Sequence, residues 1–445
     1  MPTPLQSFYS KLTHSALLLS VALFLPTALQ AQEKNRFNLP ETPTVPRFKV
    51  TDKVWPQKVG EADLCLWHDD KLAALSLGVD DNIAGEIDWW KEQAALYDVK
   101  VTWFVITGGV ESNRATGYWK QFRELEALGH GVESHTVTHL HMADPGWGSN
   151  TWTYSKSRAA TAERLAKFKM EGGPASPAAV PAESEEAADN AGASPKSAAA
   201  PSGRPPLPVL TLSPEEIARG IEWEYAESKA QIEKNISGKY VSALAYPGGG
   251  FTKHNDRKIA AKVFRVARGA RGTQNMANMT DYMSLNAQSS WILDDKKFPW
   301  GNPHNILDPK LNAGRTYRGW AILFSHTANK PLMAKTFEFI KENREPLWVG
   351  LFVDVAKYGQ ERDTATLKVE SAGPEKITFL LTDEMDDSYF NFPLTVKVRI
   401  PGEWKEVVAT QSGKTVAARI MQHEGAPYAL VQAVPDAGLV TVNAR

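Results

Sequence analysis

Residues 73–82 read Ala73-Ala74-Leu75-Ser76-Leu77-Gly78-Val79-Asp80-Asp81-Asn82. An almost wholly apolar run, with the look of a buried strand, ends in two adjacent carboxylates. A single Asp at such a place is ordinarily a turn residue or a helix N-cap. Two are harder to accommodate, because like charges held close raise one another's pKa unless a cation or a donor relieves them. The pair therefore asks for a counter-charge supplied from elsewhere in the chain.

Outward from this strand the pattern alternates. Strands are expected at 73–79, 99–107, 130–134, 240–246 and 320–325, with amphipathic helices at 83–97, 118–128, 214–234 and 331–342 between them. Repeated strand–helix units argue for a parallel sheet or barrel whose chemistry sits on the loops leaving the strand C-termini. Residues 171–208 break the pattern: they are nearly all Ala, Pro, Ser, Gly and Glu, and read as a disordered surface insertion. From about residue 363 to 445, short alternating runs separated by turn residues such as Pro401-Gly402 and Ser412-Gly413 give a small all-β sandwich. Residues 32–60 form a polar, Pro-containing extension expected to wrap the main domain, which spans 61–362.

Composition narrows the function classes. The chain has 445 residues and a formal net charge of −1, which offers no electrostatic case for nucleic acid or an anionic membrane. Near the N-terminus, Lys11 precedes an apolar run from Ala16 to Leu25, followed by Pro26 and a small-residue end at Ala31. That run is too short to span a bilayer and reads as an export signal over residues 1–31, leaving no stable membrane insertion after cleavage. The single cysteine, Cys65, excludes an internal disulfide and reads as a buried small hydrophobe. Export without disulfides suits a bacterial periplasm or exterior.

Three more segments share the Asp pair's position at the end of an expected strand. In HGVESHTVTHLHM (130–142), His135 and His139 are four apart; on a helix they share one face and can chelate a metal ion. In ALAYPGGGF (243–251), a strand runs into Pro247 and three glycines whose N–H groups can approach a ligand closely. WAILFSHTAN (320–329) places His326 at a strand end. Each segment alone has an ordinary structural explanation: a chance His pair, a flexible turn, a structural His.

Their order along the chain resembles the polysaccharide deacetylase family, carbohydrate esterase family four. The family's Thr-Phe-Asp-Asp-Gly motif corresponds to Gly78-Val79-Asp80-Asp81-Asn82. Its His-Ser/Thr-x-x-His motif corresponds to His135-Thr136-Val137-Thr138-His139, and its Leu-x-His motif to Phe324-Ser325-His326. The resemblance covers about residues 75–358, the insertion set aside. It implies a distorted (β/α) barrel and a metal-dependent hydrolase that removes acetyl groups from an acetylated glycan. It further implies Asp81, His135 and His139 as ligands of a divalent ion, most simply zinc, with Asp80 as general base and His326 as general acid. Tyr246, Pro247 and above all Gly248 would line the oxyanion site.

Three departures stand out. Asn82 replaces the usual Gly and Val79 the usual Phe. Where the family has Arg-x-Pro-Tyr, this chain has Ala245-Tyr246-Pro247-Gly248, so the Arg that orients the base is missing. The segment VARGARG offers Arg268 and Arg271 near a neighbouring strand end, with Arg268 the candidate substitute. Trp291 and Trp300 are the candidates for the acetyl pocket. Two other classes fit part of the pattern: a catalytically silent glycan-binding protein, which should have lost the base or the acid, and a metal-dependent amidase acting on a non-sugar amide.

Overall fold

The computed structural model describes residues 43–111, 116–139, 151–153, 209–211, 214–249, 256–270, 273–289 and 302–445. The segments read above as an export signal (1–31) and an insertion (171–208), together with His141, Arg271, Trp291 and Trp300, lie outside the described residues. At the centre is an eight-stranded parallel sheet: β1 (Ala73–Val79), β2 (Thr102–Val105), β3 (Gly131–Ser134), β4 (Ala243–Ala245), β5 (Val266–Arg268), β6 (Gln288–Ser289), β7 (Trp320–Ser325) and β8 (Leu347–Val349). The spatial order is β5-β4-β3-β2-β1-β7-β6, with β8 pairing along the first residues of β1. A parallel bridge from Arg268 to Leu285, just before β6, rolls the open edges toward one another. The result is a distorted (β/α) barrel.

The central strands owe their position to the apolar runs. All seven residues of β1 and all six of β7 are buried, as expected for a parallel strand covered on both faces. Among the described residues the α-helices are α1 (Ile87–Leu96), α2 (Trp119–Ala127), α3 (Pro214–Asn235), α4 (Asp256–Val263), α5 (Lys330–Glu342) and α6 (Phe352–Thr364). Ile87, Trp90 and Ala94 form the buried stripe of α1 at helical spacing. The α5 helix starts where Asn329 caps it, accepting from the Leu332 amide, with Pro331 in the first turn.

Two strands are shorter than their apolar runs. Beyond β2, the Ile106 amide donates to Asn82 Oδ1 (2.7 Å) and the Thr107 amide to the Thr136 carbonyl (3.1 Å). Before β4, the Val241 and Ser242 amides donate to Glu233 and Glu133 (2.9 Å each). In both places side chains or loops take the bonds a longer ladder would have used. The strands β5, β6 and β8, of two or three residues each, are too short to show a period in the sequence.

The C-terminal part is a sandwich of two antiparallel sheets. Strands 366–372, 376–382, 440–444, 407–411 and 414–416 form one, and 394–399, 426–433 and 418–423 most of the other. The tight hairpin after 407–411 turns at Ser412-Gly413, both left-handed (φ 47° and 81°), which matches the twist of the flanking strands. The fourth strand of the second sheet is Ala62–Leu64, antiparallel to 394–399. These residues fall within the span assigned above to the barrel, yet they complete the sandwich.

The sandwich shares its core with the barrel. Trp67, Phe352, Val355 and Tyr358 lie in one buried cluster with Ile377, Phe379, Leu394 and Val396. Side chains of this size contribute about 1.5–3 kcal/mol each when fully buried. The Tyr358 hydroxyl donates to the carbonyl of Cys65, which is buried (2.7 Å). The preceding segment is held by Arg318 donating to the Thr51 carbonyl (2.7 Å) and Lys397 to the Val54 carbonyl (2.8 Å). Among the described residues, no helix is long and apolar enough to cross a membrane.

Candidate active site

At the end of β1 the two carboxylates receive different surroundings. The Asp80 amide donates to the Ser325 carbonyl on β7 (2.9 Å), and the residue is buried. Asp81 and Asn82 then take left-handed φ values of 61° and 63°. Asn is one of the few residues besides Gly that adopt this conformation readily. Asn82 also uses its amide group, accepting from the Ile106 N–H (2.7 Å) and donating to the Ile106 carbonyl (2.9 Å). The departure from Gly thus ties the end of β1 to the end of β2.

The two imidazoles leave β3 in a loop. No helical turn follows Ser134: Thr136 and His139 have φ of 67° and 54°, and the rings converge through this loop conformation. His135 Nδ1 lies 2.8 Å from the Ala245 carbonyl, which fixes the tautomer of the neutral ring and turns Nε2 toward Asp81. The Nε2 atoms of His135 and His139 approach Asp81 Oδ1 to 3.3 and 3.2 Å. Oδ1 is buried and lacks a hydrogen-bond partner.

Charge follows this geometry. Burial pushes the Asp81 carboxyl up, but the imidazoles of His135, His139 and His326 together hold it well below the usual carboxylate range. For His135, burial pushes the ring's pKa down, and the Asp80 and Asp81 carboxylates outweigh it and raise it.

Arg268, at the end of β5, reaches Asp80 across the barrel with its guanidinium against Oδ1. It is fully buried, and its guanidinium carbon lies 4.6 Å from the Phe104 ring and 4.2 Å from the Phe324 ring. A planar, delocalised cation suits such aromatic flanks while its N–H groups hold the carboxylate. Nothing in the local sequence marks Phe104 and Phe324 as a pair; the strand register brings them together.

His326 is half exposed, its Nε2 3.7 Å from Asp81 Oδ2. Gly248 is exposed at the turn after β4 with φ 68°, and Pro247 beside it is buried. Tyr246 corrects the expectation of an oxyanion role: its ring is buried in the core, its hydroxyl donates to the Met283 carbonyl (3.0 Å), and its amide donates to the Arg268 carbonyl (3.0 Å). One residue that the motifs do not point to is Glu224 on α3. It accepts from the Val137 and Thr138 amides (2.9 Å each) inside the His loop. It lies more than eighty residues along the chain, past the insertion, and carries no local signal.

The donor set suits a divalent cation. One carboxylate oxygen and two imidazole nitrogens lie within 4.8 Å of one another, an arrangement that leaves coordination positions open. The buried, unbonded Asp81 Oδ1 is the atom such an ion would satisfy.

Residues 94–182 match the family model described as polysaccharide deacetylase. Over 442 residues the chain is 30% identical to a gellan lyase from a Bacillus species, covering 94% of this chain and 15% of that protein's length. A solved deacetylase from Streptococcus pyogenes, PplD, is 20% identical over 48% of this chain and 62% of its own, with a TM-score of 0.29. A carbohydrate esterase family four domain of a xylanase from a Trinervitermes trinervoides hindgut metagenome is 11% identical over 64% and 89%, with a TM-score of 0.32.

Proposed function

We propose that this chain is a polysaccharide deacetylase, the family whose model residues 94–182 match, and that it hydrolyses acetyl groups from an acetylated glycan at the site built by Asp80, Asp81, His135, His139, Arg268 and His326. The observation that carries the proposal is the convergence of Asp81, His135 and His139 beside a buried Asp80–Arg268 pair. Asp81, His135 and His139 would hold the ion, with zinc favoured by a nitrogen-rich set. A divalent ion there supplies Lewis acidity, which makes nearby water easier to deprotonate and the acyl carbonyl more electrophilic.

The chain's own residues then divide the proton transfers. Asp80 takes a proton from the attacking water as its oxygen bonds to the acetyl carbon. Arg268 and its aromatic flanks hold that carboxylate in a single orientation, so the base needs no rearrangement during the step. The Gly248 loop, exposed at the end of β4, faces the developing oxyanion with its backbone. His326 delivers a proton to the leaving nitrogen or oxygen as the bond to the acetyl carbon breaks, and acetate departs. Its exposure lets it reach a bulky substrate and exchange protons with solvent.

The test is acetate release from chitin oligomers, peptidoglycan fragments, O-acetylated xylan and gellan, the last chosen for the name of the relative reported above. Metal-loaded protein, chelated protein and Asp80→Asn are compared. Release that needs both the metal and Asp80 is the expected result; release from chelated protein at the same rate overturns the metal-dependent reading. We also read residues 1–31 as an export signal, which predicts a mature N-terminus after Ala31 in the periplasmic or culture fraction of a bacterial host.

A further inference from the structure

We propose that Glu224 is a positioning residue that sets the shape of the metal-binding loop, although it touches neither substrate nor ion. The inference rests on the reading of Asp81, His135 and His139 as ligands and concerns what makes them converge. Between the two imidazoles, Thr136 is a buried β-branched residue at φ 67°, and His139 itself sits at φ 54°. Such conformations persist only where the surroundings over-determine them.

Those surroundings are visible on both sides of the loop. On one side, the Thr107 and Gly108 amides donate to the carbonyls of Thr136 (3.1 Å) and Val137 (2.9 Å). A Cβ at Gly108 would stand 2.5 Å from the Val137 oxygen, so glycine is what permits this approach. On the other side stands α3. Glu224 Oε2 accepts from the Val137 and Thr138 amides, both at 2.9 Å, and Oε1 accepts from the Thr138 hydroxyl at 2.6 Å. One turn later, Ser228 Oγ meets Ser134 Oγ at 2.7 Å, and Ser134 Oγ accepts from the Thr136 amide.

Successive amides from Thr136 to Thr138 therefore end on side-chain oxygens that α3 supplies or braces, and Glu224, itself buried, takes two of them. Removing its carboxylate would strand two amides and a hydroxyl where water cannot readily replace it. The loop would then relax, and His139, the ligand directly after Thr138, would lose its register with His135. This is a tertiary device. The motif supplies the ligands, and a helix from beyond the insertion supplies their geometry.

The experiment measures zinc affinity of the full chain by competition with a chromophoric chelator, alongside melting of the metal-free protein. Glu224→Ala is expected to weaken zinc binding about ten- to hundredfold, in the range seen when groups supporting metal ligands are removed. Glu224→Gln, which keeps one acceptor oxygen, should lose less. Ile232→Ala, a buried position two turns further along α3, is the control for destabilisation alone and should leave the affinity within about twofold. Glu224→Ala binding zinc as tightly as the unaltered chain overturns the proposal, and so does Ile232→Ala weakening it equally. Should Glu224→Ala fail to fold, Glu224→Gln decides: weakened binding supports the role and unchanged affinity overturns it. An unaltered chain that binds no zinc overturns this inference and the metal reading together, which separates that failure from failure of Glu224 alone.

Discussion

The barrel rim and the seam between barrel and sandwich both remove carboxylates from water, with opposite consequences. At the rim, Asp81 stands among three imidazoles, which hold its carboxyl well below the ordinary range in spite of burial. Its neighbour Asp80 is clasped by Arg268. On α6, at the seam, burial pushes the Asp354 carboxyl up to about 6, against the pull of Lys357 and Lys239. Burial and the nearby Asp383 charge push Glu361 up to about 9, although its oxygens accept from the Phe392 amide (3.0 and 3.3 Å). One residue class thus serves two ends. Where imidazoles gather around Asp81 the carboxylate charge is held in spite of burial; where burial dominates the carboxyl is pushed toward its neutral form, at Glu361 far enough to stay protonated at neutral pH.

If that contrast is right, rim substitutions should remove activity and seam substitutions should move stability. His135→Ala should have the largest effect, lowering bound zinc in dialysed protein and dropping acetate release to the level of chelated protein. Activity that survives with the zinc gone would break the assignment of the rim. Asp80→Asn should retain zinc yet lose about 10²–10⁴-fold in kcat, the usual worth of a positioned general base. Loss of zinc in that variant would instead make Asp80 a ligand.

Arg268→Lys tests whether the aromatic-flanked guanidinium does more than carry a charge. An ammonium cannot stack between Phe104 and Phe324, so kcat should fall about tenfold, equivalent to about 1.4 kcal/mol, with zinc affinity unchanged. An unaltered kcat would reduce Arg268 to a counter-ion.

The smallest effect on rate belongs to the seam. Glu361 has its folded pKa raised from 4.5 to about 9, so across neutral pH the folded protein holds a proton that the unfolded chain has released. Stability therefore falls as pH rises through that window. Thermal melting of the unaltered chain between pH 5 and 9 should decline more steeply than that of Glu361→Gln, with acetate release the same in both at neutral pH. Parallel melting curves would show that the seam carboxyl is not neutral in the folded protein.

Much of this architecture was legible because its signals are local. The apolar runs of β1 and β7 and the helical spacing in α1 predict their elements closely, since one buried strand or one buried face writes its own period into the sequence. The Asp pair and the His pair stood out because the two members of each lie within five positions of one another, and the structure brings Asp81, His135 and His139 together. Tyr246 misled for the converse reason: its place beside Pro247 and Gly248 suggests the cleft, but the turn after β4 sends its ring into the core. The His loop shows the same limit: four-residue spacing would share one face of a helix, and here it serves a loop with left-handed residues.

The sequence by itself determined the alternation that builds the barrel, the β texture of the C-terminal part, and the side chains available at the strand ends. Only the tertiary structure decided which of them meet. Arg268 finds Asp80 across 188 residues, Glu224 reaches the His loop across 87, and Ala62–Leu64 joins a sandwich strand more than three hundred residues away. Short-range order is set by side-chain periodicity and turn chemistry, which each segment carries within itself. Partner choice and carboxyl charge depend on what burial brings alongside, and that is a property of the folded whole.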